Sequence, residues 1–136
     1  MQPASVKWIG QQKFEAVSPS GHTVMFDGDS QANSATSPME MLLMALGACT
    51  ATDIVIILEK KRQKLEALEV LCSGERAEKP PRVWTKLEVL FRVRGAVQEG
   101  AFQHAMLLTK EKYCSVAAML RKTAEISWRY EIQAGL

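Results

Sequence analysis

The stretch that decides the fold is SPMEMLLMALGACTATDIVIIL, residues 37–58. Ser37 precedes Pro38, and Glu40 follows three positions after Ser37, which is a capping-box pattern with proline at the first helical position. We therefore predict that a long helix begins here. Apolar residues occupy nearly every face of this helix, so protein must surround it on all sides. In a chain this small, a partner subunit is expected to complete the burial.

The segments on either side of the helix alternate between apolar and polar residues, as strands do. Three short runs precede the helix, two longer runs follow it, and one run closes the chain, namely residues 6–9, 14–17, 22–26, 68–75, 83–93 and 126–132. Helical spacing returns after Gly95 and breaks at Cys114, so we predict two successive helices before the last strand. The sequence thus predicts one domain, residues 1–136, in which an antiparallel meander, a long helix, a hairpin packed on that helix, two further helices and a last strand follow in order.

Composition and charge exclude several classes of protein. The net charge is only +2, and the basic residues are scattered among acidic ones, so we predict no nucleic-acid partner. The first residues lack the charged and apolar regions of a secretory signal, and we expect the protein to be cytoplasmic. The long apolar stretch carries Glu40 and Asp53, which are costly in hydrocarbon, so we predict no membrane partner.

The three cysteines, Cys49, Cys72 and Cys114, have neither C-x-x-C spacing nor the spacing of a zinc site. With only two histidines in the chain, no metal site is predicted. The sequence contains no nucleotide-binding fingerprint, so no cofactor is predicted. In a reducing compartment the cysteines are expected to be free or redox-active thiols. Cys72 falls on the apolar face of a predicted strand, which favours a packing role.

Local pattern leaves the roles of Cys49 and Cys114 open. Small neighbours give access to Cys49, yet a cysteine in an apolar helix is more often an inert small hydrophobe. Cys114 lies where a helix begins, and exposed amides, the helix dipole and the nearby Lys110 and Lys112 favour its thiolate. A plain N-cap role for Cys114 or Ser115 is an equal alternative.

Two motifs together carry a resemblance to a known family. They are SPMEMLLMALGACT at residues 37–50 and EKYCSV at residues 111–116, with further matching segments in order along the whole chain. The chain resembles the osmotically inducible protein C (OsmC) and organic hydroperoxide resistance family. The resemblance implies an α+β fold with antiparallel sheets packed around the long central helix. It also implies an intertwined homodimer in which the long helices pack together, with the thiols near the subunit interface.

The resemblance also implies a reaction. In the peroxidases of this family the cysteine of the long helix attacks a hydroperoxide and becomes a sulfenic acid, and the second cysteine condenses with it to a disulfide that a dithiol reductant reopens. By position, Cys49 would be the peroxidatic cysteine and Cys114 the resolving one. The family's catalytic glutamate directly follows the proline, where this chain has Met39, and Glu40 one residue later is the candidate for the catalytic carboxylate. The substrate implied is a small hydrophobic peroxide.

Two other hypotheses remain open at this point. A thiol protein without peroxidase activity would use the same residues to bind a small electrophile, a lipid-like ligand or a redox partner. A purely structural dimer would keep its thiols buried and unreactive. An activating cation and carboxylate near Cys49 would favour the peroxidase, and the first arginine in the chain is Arg62.

Overall fold

A computed structural model describes residues 1–135 of the chain. The elements, in chain order, are β1 (Ser5–Trp8), β2 (Lys13–Val17), β3 (Thr23–Asp27), α1 (Pro38–Lys60), β4 (Lys64–Arg76), β5 (Trp84–Ala96), α2 (Glu99–Leu108), α3 (Ser115–Leu120) and β6 (Glu125–Gln133). A π-helical turn, Thr109–Tyr113, joins α2 to α3. This is the predicted order of strands and helices. The described chain forms two compact units, which divide after Leu42, and one domain over residues 1–136 stays a prediction.

The first unit is built on a three-stranded antiparallel sheet in the order β1-β2-β3. Asp27 ends β3, and its carboxylate accepts hydrogen bonds from the backbone amides of Asp29 at 2.9 Å and Ser34 at 3.0 Å. The hydroxyl of Ser34 also donates to this carboxylate, and together these bonds lower the pKa of Asp27. The carboxylate of Asp27 therefore holds the conformation of the polar loop that follows β3.

Helix α1 has one buried face and one exposed face, although both are rich in apolar residues. The buried residues are Leu46, Thr50, Ile54, Ile57 and Leu58. On another side lie exposed residues that we call the exposed stripe of α1, namely Ala48, Thr52, Val55 and Ile56. The helix is long and apolar enough to cross a membrane, but the core helix of a soluble protein meets the same criterion. Among residues 1–135, part of the surface of α1 therefore stays exposed.

The second unit contains a mixed sheet in the order β4-β5-β6. β4 and β5 form the predicted long antiparallel hairpin, and β5 buries alternate residues, Leu87, Val89, Phe91 and Val93. β6, however, runs parallel to β5. The α+β class is confirmed, but this strand departs from the predicted antiparallel arrangement. The reason is that α2 and α3 form a crossover, which returns the chain to the end of the sheet where β5 begins, so that β6 starts there as well.

One hydrophobic core joins α1, the sheet and α2 in the second unit. The ring of Phe91 meets Phe102 edge-on at 5.6 Å between centroids and stacks on Trp128 at 6.2 Å. Cys114 belongs to this core, and Cys49 packs against it. Because interiors are close-packed, the positions of the two thiols are fixed by the same contacts that stabilise the unit.

Candidate functional site

Glu40 lies in the first turn of α1, where it completes the predicted capping box. The backbone amide of Ser37 donates a hydrogen bond to Glu40 Oε1 at 2.9 Å, and the amide of Glu40 donates to Ser37 Oγ at 3.2 Å. The hydrogen bonds from Ser37 lower the pKa of Glu40. This carboxylate is therefore ionised at neutral pH and bonded to the start of the helix.

The structure brings Cys49 and Cys114 together and adds Asp53 to them. The two Sγ atoms and a carboxylate oxygen of Asp53 all lie within 4.8 Å of one another. We call these three residues the thiol–carboxylate cluster. Cys49 and Asp53 are half-buried, and Cys114 is buried with an exposed fraction of 3%. Glu40, the other predicted site residue, is not a member of the cluster.

Asp53 is the functional candidate that the sequence analysis missed as a site residue. One signal was available, because Asp53 follows Cys49 by four positions and residues spaced in this way share a helix face. Its Oδ2 atom is buried and has no hydrogen-bond partner among residues 1–135. Burial raises the pKa of this carboxyl above its ordinary value. An unsatisfied buried carboxylate oxygen is costly to stability, and such atoms concentrate where a site has chemistry to perform.

Cys114 occupies the break that the sequence predicts between the last two helices. The π-helical turn, Thr109–Tyr113, precedes it, and its own amide donates to Thr109 O at 2.9 Å. Its Sγ accepts a hydrogen bond from the amide of Ala117 at 3.3 Å, so it caps α3. The alternative of an N-cap role for Cys114 is therefore confirmed. Single π-helical turns are frequently found at functional sites, and this one sets the sulfur facing α1.

The expectation that Cys114 is a readily ionised thiol is wrong. Burial raises the pKa of this thiol, and the hydrogen bond from Ala117 lowers it by too little to compensate. The neighbouring Cys49 and Asp53 raise it further. The physical reason is that α3 has only six residues, so its dipole is short, whereas the sulfur is removed from water.

Cys72 lies on β4, outside the thiol–carboxylate cluster. Its sulfur packs against α1, since a Cβ built on Gly47 would lie 3.4 Å from Cys72 Sγ. Burial raises the pKa of the Cys72 thiol to about 11. These features agree with the packing role expected for this cysteine, and they make it a suitable control thiol.

A pocket of about 400 Å³ opens beside the cluster, with Asp53 in its wall. The lining combines apolar, charged and aromatic side chains. It comprises Asp53, Ile56, Ile57, Lys60, Lys61, His104, Leu108 and Tyr113. Lys60 is the last residue of α1, and Lys61 follows it directly. A pocket with this lining suits a small, largely apolar molecule that carries one polar group.

Arg76 and Arg82, near the connection between β4 and β5, bind backbone carbonyl groups of the same hairpin. Arg76 Nε donates to Arg82 O at 2.9 Å, and Arg82 Nε donates to Ala77 O at 3.1 Å. The guanidinium of Arg76 also lies over the ring of Trp84, 5.9 Å from its centroid. The lysines that line the pocket beside Asp53 are Lys60, which ends α1, and Lys61, which follows it.

Comparison with known proteins identifies the family. The model of the family described as OsmC-like protein matches residues 28–129, which include both cysteine motifs. The chain belongs to the OsmC-like protein family. The resemblance inferred from the two motifs is thus confirmed, and with it the OsmC-like α+β fold.

Individual OsmC-like relatives cover almost the whole chain. Protein YhfA of Escherichia coli K12 is 45% identical over 132 residues, which span 96% of this chain and 98% of YhfA. The crystal structure of a hypothetical protein from Aquifex aeolicus is 28% identical with a TM-score of 0.89, covering 98% of this chain and 97% of that one. The organic hydroperoxide resistance protein OhrB of Bacillus subtilis shares the fold, with a TM-score of 0.66 at 12% identity over 95% of this chain and 98% of OhrB.

Proposed function

We propose that this OsmC-like protein is a thiol-dependent reductase of small organic hydroperoxides, which acts through Cys49 and Cys114. The observation that carries the proposal is the thiol–carboxylate cluster, in which two sulfurs and a carboxylate oxygen lie within 4.8 Å of one another. To form a disulfide, the two side chains would rotate until their sulfurs lie about 2.05 Å apart. The name of the structural relative OhrB, an organic hydroperoxide resistance protein, is consistent with this activity.

The proposed reaction begins at Cys49, the less buried of the two thiols. Its sulfur attacks the terminal oxygen of the hydroperoxide, the O–O bond breaks, and the products are a Cys49 sulfenic acid and an alcohol. The Cys114 thiol then attacks the sulfenic sulfur, a disulfide forms and water leaves. A dithiol reductant reopens this disulfide by exchange and is itself oxidised to a disulfide.

Two carboxylates are candidates for moving the proton. Asp53 is in the cluster, and its raised pKa brings it closer to neutrality, where a general base is most effective. It would accept the proton of the Cys49 thiol and return it to the departing alkoxide. Glu40 lies one residue after the position of the family's glutamate, where this chain has Met39, and its bonds to Ser37 hold it at the helix start.

The pocket beside Asp53 supports a substrate class. Ile56, Ile57 and Leu108 give it apolar walls, which favour an alkyl or aryl hydroperoxide over hydrogen peroxide. The expected reductant is a dithiol, and the expected location is the cytoplasm, where such reductants keep thiols reduced.

A homodimer is part of this proposal. Val55 and Ile56, on the exposed stripe of α1, retain exposed fractions of 42% and 45%. Two large apolar side chains exposed side by side on one helix favour burial against a second copy of the chain. A second copy packed on the stripe would enclose α1 and place a subunit interface near the cluster.

A second candidate function has an observation of its own. Burial raises the pKa of Cys114, which disfavours the thiolate that a resolving cysteine uses. Lysines also line the pocket beside Asp53. The site therefore also suits stoichiometric binding of a small electrophile or a lipid-like ligand. In that case Cys49 would react once with the electrophile, and no catalytic turnover would follow. The distinction lies in turnover and not in the reactivity of Cys49 alone.

The direct test is turnover of cumene hydroperoxide with dithiothreitol as the reductant. The wild-type protein and the Cys72→Ser control are expected to consume the peroxide catalytically. Cys49→Ser should lose activity to the background rate, and Cys114→Ser should be much slower because its sulfenic acid has no resolving thiol. Dimedone, which labels sulfenic acids, should then label Cys49 in the Cys114→Ser protein.

The outcomes separate the two candidates. A wild-type protein that shows no turnover above the Cys49→Ser background overturns the reductase proposal. Stoichiometric alkylation of Cys49 by an electrophile, without peroxide turnover, would favour the binding function instead.

A further inference from the structure

We propose that the thiol–carboxylate cluster, Cys49, Asp53 and Cys114, is a binding site for one divalent cation of borderline softness, of which Zn²⁺ is the best match. This site does not depend on the peroxidase proposal. The cysteine spacing in the sequence gives no sign of it, because its third ligand is a carboxylate and its second thiol comes from a distant segment.

The donor set selects the kind of cation. Two thiolates and one carboxylate match the sulfur and oxygen ligands that Zn²⁺ takes in proteins. Hard cations such as Mg²⁺ and Ca²⁺ prefer sites made of oxygen atoms alone, so the two sulfurs disfavour them. Three protein ligands also leave a fourth tetrahedral position open for water or another small ligand.

The geometry needs little change to accept the ion. Ligands bonded to tetrahedral zinc at about 2.1–2.3 Å lie roughly 3.5–3.8 Å apart. The three ligand atoms of the cluster are already within 4.8 Å of one another, and small side-chain rotations close the difference. Cys49 and Asp53 lie one turn apart on α1, and Cys114 is held at the start of α3, so the ligands come from ordered elements.

Asp53 Oδ2 is an independent observation that points to a ligand. This oxygen is buried and has no hydrogen-bond partner among the residues that the structure describes. Buried polar atoms in folded proteins nearly always have a partner, and a coordinated cation would supply one. The charge of the cation would also offset the cost of burying a carboxylate, which desolvation now opposes.

Two further features fit a metal ligand set. The amide of Ala117 donates to Cys114 Sγ at 3.3 Å, as outer hydrogen bonds commonly do to ligand thiolates. Asp53 also lines the pocket of about 400 Å³, which gives a cation a path from solvent to the cluster. Binding would release the thiol protons to water and occupy both sulfurs, so a bound cation and a Cys49–Cys114 disulfide would exclude each other.

The test uses reduced full-length protein, freed of metal with a chelator and titrated anaerobically with Zn²⁺ against a competing chromophoric chelator. Wild type and the Cys72→Ser control should each bind one ion per chain. Cys49→Ser, Cys114→Ser and Asp53→Asn should each weaken binding by at least about tenfold. Because a variant can fail to fold, Co²⁺ is added to the wild type as a second measurement, and a sulfur-to-cobalt charge-transfer band is expected in the near ultraviolet.

Several results would overturn the cation site. They are the absence of one-to-one binding and of the cobalt band in the wild type, equal loss of affinity in Cys72→Ser and Cys49→Ser, or unchanged affinity in Asp53→Asn. Peroxide turnover measured in chelator keeps the two proposals separate. A protein that turns over peroxide but binds no zinc overturns only the cation site, and a protein that binds zinc without turnover overturns only the reductase.

Discussion

Replacing Asp53 with asparagine is expected to slow the oxidation of Cys49 by cumene hydroperoxide by about 10²-fold or more, the usual contribution of a positioned general base. Asparagine keeps the size and polarity of the side chain but cannot accept a proton. The carboxylate has two opposing effects, since its charge also raises the pKa of the neighbouring Cys114 thiol. We expect proton acceptance to prevail, because the Cys49 proton must leave in the same step as the attack. Stopped-flow measurement of thiol loss in metal-free buffer gives the rate.

Glu40→Gln is the matched control for this prediction. Glutamine also serves at this position of a capping box, so the start of α1 should be preserved. If Asp53 moves the proton, the Glu40→Gln protein should oxidise within about threefold of wild type, a factor worth less than 1 kcal/mol in the barrier. A large loss in Glu40→Gln with none in Asp53→Asn would return the catalytic role to Glu40. A faster Asp53→Asn protein would show that the carboxylate acts only through its charge.

Replacing Val55 with lysine is expected to convert a homodimer into a monomer. Val55 lies on the exposed stripe of α1, where the proposed second copy packs. In a two-fold symmetric interface each substitution occurs twice, so two charges would lose their hydration without partners. The effect should be a complete change of oligomeric state at micromolar concentration, read by size-exclusion chromatography with light scattering.

Val55→Thr is the control for this change, because threonine keeps the branched shape without adding a charge. It should remain largely dimeric. A wild-type protein that is monomeric at high concentration would contradict the homodimer, and so would a dimer that survives Val55→Lys. Retained helical circular dichroism would show that the monomer is folded.

The parts of the fold that local pattern determines were predictable from the sequence. The capping box at Ser37 and Glu40 located the start of α1, and the alternation around Phe91 located β5 and its buried face. The interruption at Cys114 located the boundary between the last two helices. Each of these features depends on residues close in sequence, whose spacing reflects the period of a helix or a strand.

The remaining features depend on contacts between distant segments. The parallel direction of β6 follows from how α2 and α3 cross the sheet, which no residue of β6 itself reveals. The pKa of Cys114 is raised by the protein packed around it. The helix start and the nearby lysines, which are local features, predicted that this pKa would be lowered. Asp53 became a candidate site residue only when the fold brought Cys114 to α1, although its spacing from Cys49 was visible.

The central claim is that Cys49 and Cys114 act as one redox pair, and a single measurement tests it most directly. Reduced protein is treated with one equivalent of cumene hydroperoxide, blocked with an alkylating agent, digested and mapped by mass spectrometry. We predict a linked pair of peptides that joins Cys49 to Cys114, with Cys72 recovered as an alkylated thiol. Recovery of all three cysteines as alkylated thiols, or a disulfide that includes Cys72, would contradict the claim.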